Sequence, residues 1–513
     1  MDRSSTEAPW DRLAMVTRLV DRSNWVRIAA LCATLALPAG AQAADFTVNT
    51  TADTAGSCPT PTTCTLRQAV NDANVAGTDD TIDFNLPPGS VISLVNGPID
   101  INSASSTEKT DISGPGAGAL TIRRDPGAPP AKVLILSEGD ANVSGVTIRG
   151  GLGTAPFDAV GIVIASTTAS LTLDGTLVTD NKNDLTGVGP GSGGASAILN
   201  IGELLLLNSA VTGNVVDNAG AGASATIVSA GALLTANSTI SGNSIDGTSP
   251  NDAGAILNVA GLWASVNSTI TANVSTGVGG VSNLASAGAA NTILAGNTGG
   301  APDCTGAPIQ SQGYNLIGND TGCTFANSAG DQVGTAGGVI DPKLGPLAEN
   351  GGGTPTHILL ARSPALEAGS PLPTADINPP PAPPTPVPCR TTDQRGILRP
   401  QSSVCDIGAV EMSAVVPPPA EPPETVIKRK PTRKRPRRSI VRFRSSKPGS
   451  TFTCTLDGDD PFPCTNPQNY RGLKRGHHDF TVAATDAAGS TDPTPAGTRF
   501  FIRGQMLGSR RGR

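Results

Sequence analysis

Few side chains in this sequence could do chemistry. Histidine occurs only as His357, His477 and His478. Between residues 171 and 300 the acidic residues are Asp174, Asp180, Asp184, Glu203, Asp217, Asp246 and Asp252, and the one cation is Lys182. Hydrolysis of a glycoside needs two carboxylates about 5–10 Å apart, and elimination from a uronate needs an Arg or Lys base, usually with calcium-binding carboxylates. Asp180 with Asp184 comes nearest to such a pair, yet these acids keep no common phase. Trp263 is the one aromatic in the same stretch, which leaves no platform on which a sugar could stack. The expectation is therefore a chain with no catalytic residue, no cofactor and no metal site.

The cysteines carry a different chemistry. Apart from Cys32, eight remain, and they fall into local couples: Cys58/Cys64, Cys304/Cys323, Cys389/Cys405 and Cys454/Cys464. An even number in local pairs predicts disulfides and an oxidising compartment. No C-x-x-C occurs, which disfavours zinc. Basic residues precede the apolar run Ile28–Leu37, and Ala41-Gln42-Ala43 follows it. That order predicts a secretory signal over residues 1–43, with Met1 or Met15 as the start. Ten apolar residues are too few to span a bilayer about 30 Å thick, so no transmembrane anchor is expected in the mature chain.

Charge divides the chain. Residues 44–411 hold 12 Lys and Arg against 30 Asp and Glu, whereas residues 412–513 hold 19 against 8. Most of the basic excess is one run, Lys428, Arg429, Lys430, Arg433, Lys434, Arg435, Arg437 and Arg438. The run lacks the interleaved aromatics of single-strand nucleic-acid binders, so no specific nucleic acid is expected. An anionic envelope polymer or glycan, or the acidic rod of the same chain, is the candidate partner, and a solvated linker and strand the alternative. Asp457-Gly-Asp-Asp460 reads as a hairpin turn in preference to a calcium loop, because it lacks a spaced acidic set.

What must position these residues is a repeat. The chain has 513 residues, with 61 Gly, 43 Pro and only 3% aromatics. The unit Asn-Ser/Thr-x-aliphatic-x-x-Asn recurs as Asn208–Asn214, Asn237–Asn243, Asn267–Asn273 and, more loosely, Asn291–Asn297. Its aliphatic position steps through Ile148, Val178, Val211, Ile240, Ile270 and Leu294. Between these copies Ile198, Ile227 and Ile256 recur every 29 residues. Short β-branched tracts broken by Gly and Asn predict strands and corners, and helical repeats fit badly. The expected fold class is all-β: a right-handed parallel β-helix of roughly eight coils stacked about 4.8 Å apart. The aliphatic residues should form a core ladder. Asn181, Asn214, Asn243, Asn273 and Asn297 should stack beside it at a bend, their side chains bonding to the coils above and below and their backbone suited to a left-handed corner; the alternative is a polar ligand groove. The Asn-Ser-Thr triplets also match the glycosylation acceptor pattern.

Leu66, Ala69, Val70 and Ala73 follow helical spacing behind Thr65, which predicts a short capping helix over the first coil. Arg67 should point outward or pair with a carboxylate. In the last hundred residues Val441/Phe443, Phe452/Cys454/Leu456 and Phe480/Val482/Ala484 alternate with polar residues, and Phe500–Ile502 suggests a last strand. These predict a small antiparallel β-sandwich over 425–503.

Three stretches resemble known families. Asp45–Asp53, Cys64-Thr-Leu-Arg67-Gln-Ala69 and Asp80-Thr-Ile-Asp83-Phe are similar to the CSLREA-type N-terminal domain of exported bacterial proteins. Gly313-Tyr-Asn315-Leu-Ile-Gly318, Asp341-Pro342, Ser363-Pro-Ala-Leu366, Asp393-Gln-Arg395-Gly396 and Cys405-Asp406-Ile-Gly408-Ala-Val-Glu411 resemble the choice-of-anchor Q domain. Cys454-Thr-Leu-Asp-Gly458 and Ala484-Thr-Asp-Ala-Ala-Gly489 resemble the immunoglobulin-like modules of exported bacterial proteins. The resemblance implies export and a surface or secreted, extracellular location; it assigns no reaction. A proline-rich insert at 378–388 departs from the pattern, and no sorting signal follows. The expected layout is a signal peptide (1–43), an N-terminal cap (44–100), β-helix repeats (101–345), an end region (346–411), a proline-rich linker (412–424), the basic module (425–503) and a basic tail (504–513). The expected function is adhesion or cell-envelope and glycan interaction without catalysis. The alternative is a carbohydrate-active β-helix enzyme, a lyase or hydrolase with its site in the loops.

Overall fold

The computed structural model describes residues 43–58, 63–103, 108–154, 160–186, 193–220, 222–373, 387–413, 422–431, 439–486 and 489–502. The expected signal peptide, apart from Ala43, and the basic tail lie outside them. Two compact units divide at Val416/Pro417.

In the first unit each period of the repeat folds as up to four short strands. One period runs Glu203–Leu207, Ala210–Thr212, Val215–Ala219 and Ala225–Ser229; the next runs Ala232–Ala236, Thr239–Ser241, Ser244–Gly247 and Ala253–Asn258. Each strand pairs in parallel with its counterparts one period before and after. Four parallel ladders result, numbered here in that chain order. The fold is all-β and solenoid-like. The first and fourth ladders merge at Cys304–Ser311, which pairs with both Val281–Asn283 and Ser286–Ala290. The Cys304–Cys323 disulfide joins that strand to the next one, Cys323–Ala326.

The register follows the spacing in the sequence. Along the second ladder Ile148, Val178, Val211, Ile240, Ile270 and Leu294 stand opposite one another in turn, and none is more than 1% exposed. Along the fourth, Ile198, Ile227 and Ile256 continue into Val281 and Cys304. A one-residue slip would turn these aliphatics outward, so burial fixes the phase. Trp263 is fully buried between Leu233 and Ala287, a large ring matched by a small neighbour.

The Asn column is the expected hydrogen-bond ladder between coils, but its members are not the left-handed corner residues. Asn214, Asn243 and Asn273 each donate Nδ2 to the backbone carbonyl of an earlier coil and to the Oδ1 of the next Asn. The left-handed residues are their predecessors, Asp180, Gly213, Gly242, Ala272 and Gly296, together with the first Asn of the unit, Asn208, Asn237, Asn267 and Asn291. Two left-handed residues thus bracket each three-residue strand of the second ladder, and Asn and Gly tolerate that conformation best.

The helix Leu66–Ala76 begins at Thr65, whose hydroxyl accepts from Gln68 N while Gln68 Oε1 accepts from Thr65 N. It buries Leu66, Ala69, Val70 and Ala73 and stops at left-handed Gly77. Arg67 does pair with a carboxylate: its Nε donates to Asp53 Oδ1 at 2.6 Å, and its two Nη atoms donate to the Gly97 and Pro98 carbonyls.

Residues 341–373 and 387–411 lie along the second ladder. Gln394 donates to Ser209 O and accepts from Thr239 Oγ1, Ala409 N donates to Thr269 Oγ1, and Gly408 N donates to Asn291 O. Ile407, Leu359 and Ala365 pack on Ile293, Ala295 and Leu316. The described part of the expected end region lies as a strap along the flank of the coils.

The second unit has a three-stranded antiparallel sheet (Thr425–Arg429, Ser439–Ser445, Gln468–Tyr470) and a four-stranded one (Thr451–Leu456, Phe462–Cys464, Gly476–Thr485, Ala496–Ile502). Val441 and Phe443 of the first share a core with Cys454, Phe480, Val482 and Phe500 of the second. The turn after Leu456 has left-handed Asp457 and Gly458, and Asp459 N donates to Leu456 O to close it.

Candidate functional site

Five of the seven acids singled out on the solenoid are engaged in structural contacts. Asp180 pairs with Arg149 at 2.8 Å, and Lys182 bridges Asp184 and Asp217. Asp174 accepts from Asn208 Nδ2. Asp252 accepts the backbone N–H groups of Ser224 and Ser249, and burial pushes its carboxyl up to about 6. Trp263 lies inside the core, so it offers a ligand no ring.

One carboxylate pair has no counterpart in the sequence reading. Asp140 and Glu203 flank Ser170 in one column of the first ladder, two strand spacings or about 10 Å apart. Burial raises both carboxyls, and Asp140 adds to the effect on Glu203. The intervals that place them, 30 and 33 residues, equal those from Ile148 to Val178 to Val211, so the repeat carried this signal.

The strap holds a buried ionic cluster. Arg399 Nη1 donates to Glu411 Oε2 at 3.0 Å, with both side chains fully buried. The same guanidinium binds the carbonyls of Asp406 and Gly408. Asp393 Oδ2 accepts from Arg395 and from Glu411 N. Burial lowers Arg399 and raises Glu411, and the ion pair opposes both effects. Burial also pushes Asp406 up to about 7. His357 is buried between Gly345 O and Ser241 Oγ, each 2.7 Å away. Since a carbonyl can only accept, Nδ1 carries the proton and Nε2 accepts from the serine. The motif residues Asp393, Arg395, Asp406 and Glu411 thus lock the strap to itself.

The eight cysteines form the four local pairs expected: Cys58–Cys64, Cys304–Cys323, Cys389–Cys405 and Cys454–Cys464. Of the basic run, Lys428, Arg429 and Lys430 are exposed at the end of the strand Thr425–Arg429. Arg433, Lys434, Arg435, Arg437 and Arg438 lie outside the described residues. Among the described residues no helix is long and apolar enough to cross a membrane. No protein-family model, curated protein or solved structure matches this chain.

Proposed function

We propose that this is an exported, noncatalytic surface or secreted protein that acts in adhesion or in contact with the cell envelope and its glycans. In this reading the ladders form a right-handed parallel β-helix of the CSLREA and choice-of-anchor Q type. The second unit is an immunoglobulin-like module that meets an anionic polymer through its basic residues. The carrying observation is the use of the flank acids: Asp174, Asp180, Asp184, Asp217 and Asp252 hold the coils together or pair with cations. Four disulfides support an oxidising, extracellular setting. An array of glycans and envelope polymers tests the reading: anionic polymers should be retained in a salt-dependent way, and retention of none would sink it.

The carbohydrate-active alternative has one observation in its favour, the Asp140–Glu203 pair. Its spacing lies near the upper end of the range for an inverting hydrolase, and its raised carboxyls suit a general acid. Pectin, alginate, chitin and arabinan should release no reducing ends or unsaturated products. Turnover abolished by Glu203→Gln would establish the alternative instead.

A further inference from the structure

The three-stranded sheet of the second unit carries basic residues that the linear run does not include. Ser439–Ser445 buries Val441 and Phe443 and leaves Arg442 and Arg444 exposed. The antiparallel register sets Arg429 opposite Arg442 and Val426 opposite Arg444. Lys428 is the extra residue at the irregularity between Ile427 and Arg429, and Lys430 follows; both are exposed. Directly opposed like charges repel and weaken a strand pair. Among the described residues no carboxylate forms an ion pair with any of these five cations. Elsewhere in the unit Lys447 pairs with Asp486 and Arg499 with Asp479. Glu424 stands beyond the far end of the strand, where its carbonyl and N–H bond to Ser446. The sheet therefore keeps an unneutralised, self-repelling basic face.

We infer that this face, centred on the Arg429–Arg442 pair and extended by Arg444, Lys428 and Lys430, is the binding surface for a linear polyanion. The inference rests on the proposed contact with an anionic polymer and moves its centre from the 428–438 run to two paired strands. Opposed side chains lie about 5 Å apart, and alternate residues along a strand about 7 Å. The face thus suits a chain with one anionic group every ~5–7 Å. Guanidinium forks accept either phosphate or carboxylate, so the shared chemistry is a repeated oxyanion. Binding would supply the countercharge that the fold leaves out.

The test uses the full chain with long-chain polyphosphate and polygalacturonate as probes, titrated over a salt series. Arg442→Gln with Arg444→Gln should weaken binding about tenfold at low salt and lower the salt slope by roughly 1.4, about 0.7 per contact for a flexible strand. Arg442→Lys with Arg444→Lys should keep the slope. Lys474→Gln with Arg475→Gln removes the same charge just before the four-stranded sheet's strand Gly476–Thr485 and should change neither quantity. Phosphate and uronate sources are separated by which polymer binds more tightly. Equal losses in the two Gln pairs, or no loss at Arg442 and Arg444, would overturn the inference while wild-type binding upheld the broader reading. Failure of the wild type to bind either polymer would end both.

Discussion

Asp303 Oδ1 accepts the backbone N–H of Asn297 at 3.1 Å and its side-chain Nδ2–H at 2.9 Å, so a column of amides ends on a carboxylate. Each Asn before it is received in the same way by the next Asn. Asp303 is the terminal acceptor, and its Oδ2 takes the N–H of Asn319 at 2.8 Å. Burial outweighs these three donors and pushes the carboxyl from its ordinary 3.8 up to about 6.

A folded value above the unfolded one means that the protonated acid favours the folded state. Its contribution is complete below pH 3.8 and is lost as the pH rises through about 6. Relative to Asp303→Asn, which cannot titrate, the wild type should lose about 3 kcal/mol between pH 3.5 and pH 7. Paired denaturant titrations at several pH values measure the difference. A constant difference would show that Asp303 does not titrate in this window.

Ile240 stacks between Val211 and Ile270 at 1% exposure. Ile240→Asp buries an unpaired carboxylate there and should cost several kcal/mol. Asn243→Ala strips a partner from Asn214 N, Val211 O and Asn273 Oδ1 and should cost about 2–4 kcal/mol. Thermal melts followed by far-UV circular dichroism read both. Wild-type melting of Ile240→Asp would mean the ladder is out of phase.

The strap should detach when its ion pair is halved. Arg399→Met leaves Glu411 buried without its cation and should cost about 3–5 kcal/mol locally. Replacing both, Arg399→Met with Glu411→Leu, should recover part of that. Hydrogen exchange at Ile407, Gly408 and Ala409 separates strap release from global unfolding. Unchanged protection in the single variant would show that the pair does not hold the strap.

Non-reducing peptide mapping should recover the four local disulfides and no crossed pair. Cys389–Cys405 closes a 16-residue separation, worth about 3 kcal/mol in the chain-entropy view. Cys389→Ser with Cys405→Ser should therefore loosen the strap without melting the coils. Free thiols at these positions in secreted protein would refute the pairing.

Much of the solenoid was legible in the sequence because a parallel stack repeats its residues at the interval at which it repeats its space. Val211, Ile240 and Ile270 reveal their contacts by spacing alone. The hydrogen-bond column was legible, but the left-handed corner falls one residue earlier, on Asp180, Gly213, Gly242, Ala272 and Gly296, because Asn suits both a corner and an amide donor and the spacing does not separate the two. The strap was visible as motifs but not as a place. Gln394 meets Ser209 and Thr239 across 185 and 155 residues, and no period links them. The pairing of Asp140 with Glu203 was missed because Asp140 lies before the stretch of clear repeats, although the intervals matched.

The strap also bears on the choice of a host for expressing this chain. Asn237-Ser-Thr and Asn267-Ser-Thr match the acceptor pattern of N-glycosylation. Folded, both Asn residues are buried: Asn237 Nδ2 reaches Thr392 O, and Asn267 meets Cys389 Sγ and Arg390 N. A eukaryotic secretory host attaches its sugar while the chain is still emerging, before residues 387–411 exist to cover these amides. The glycan would then occupy the seat of the strap, and the product would leave the cell with its flank uncovered. An oxidising host compartment that adds no such glycan would leave both amides free for the strap.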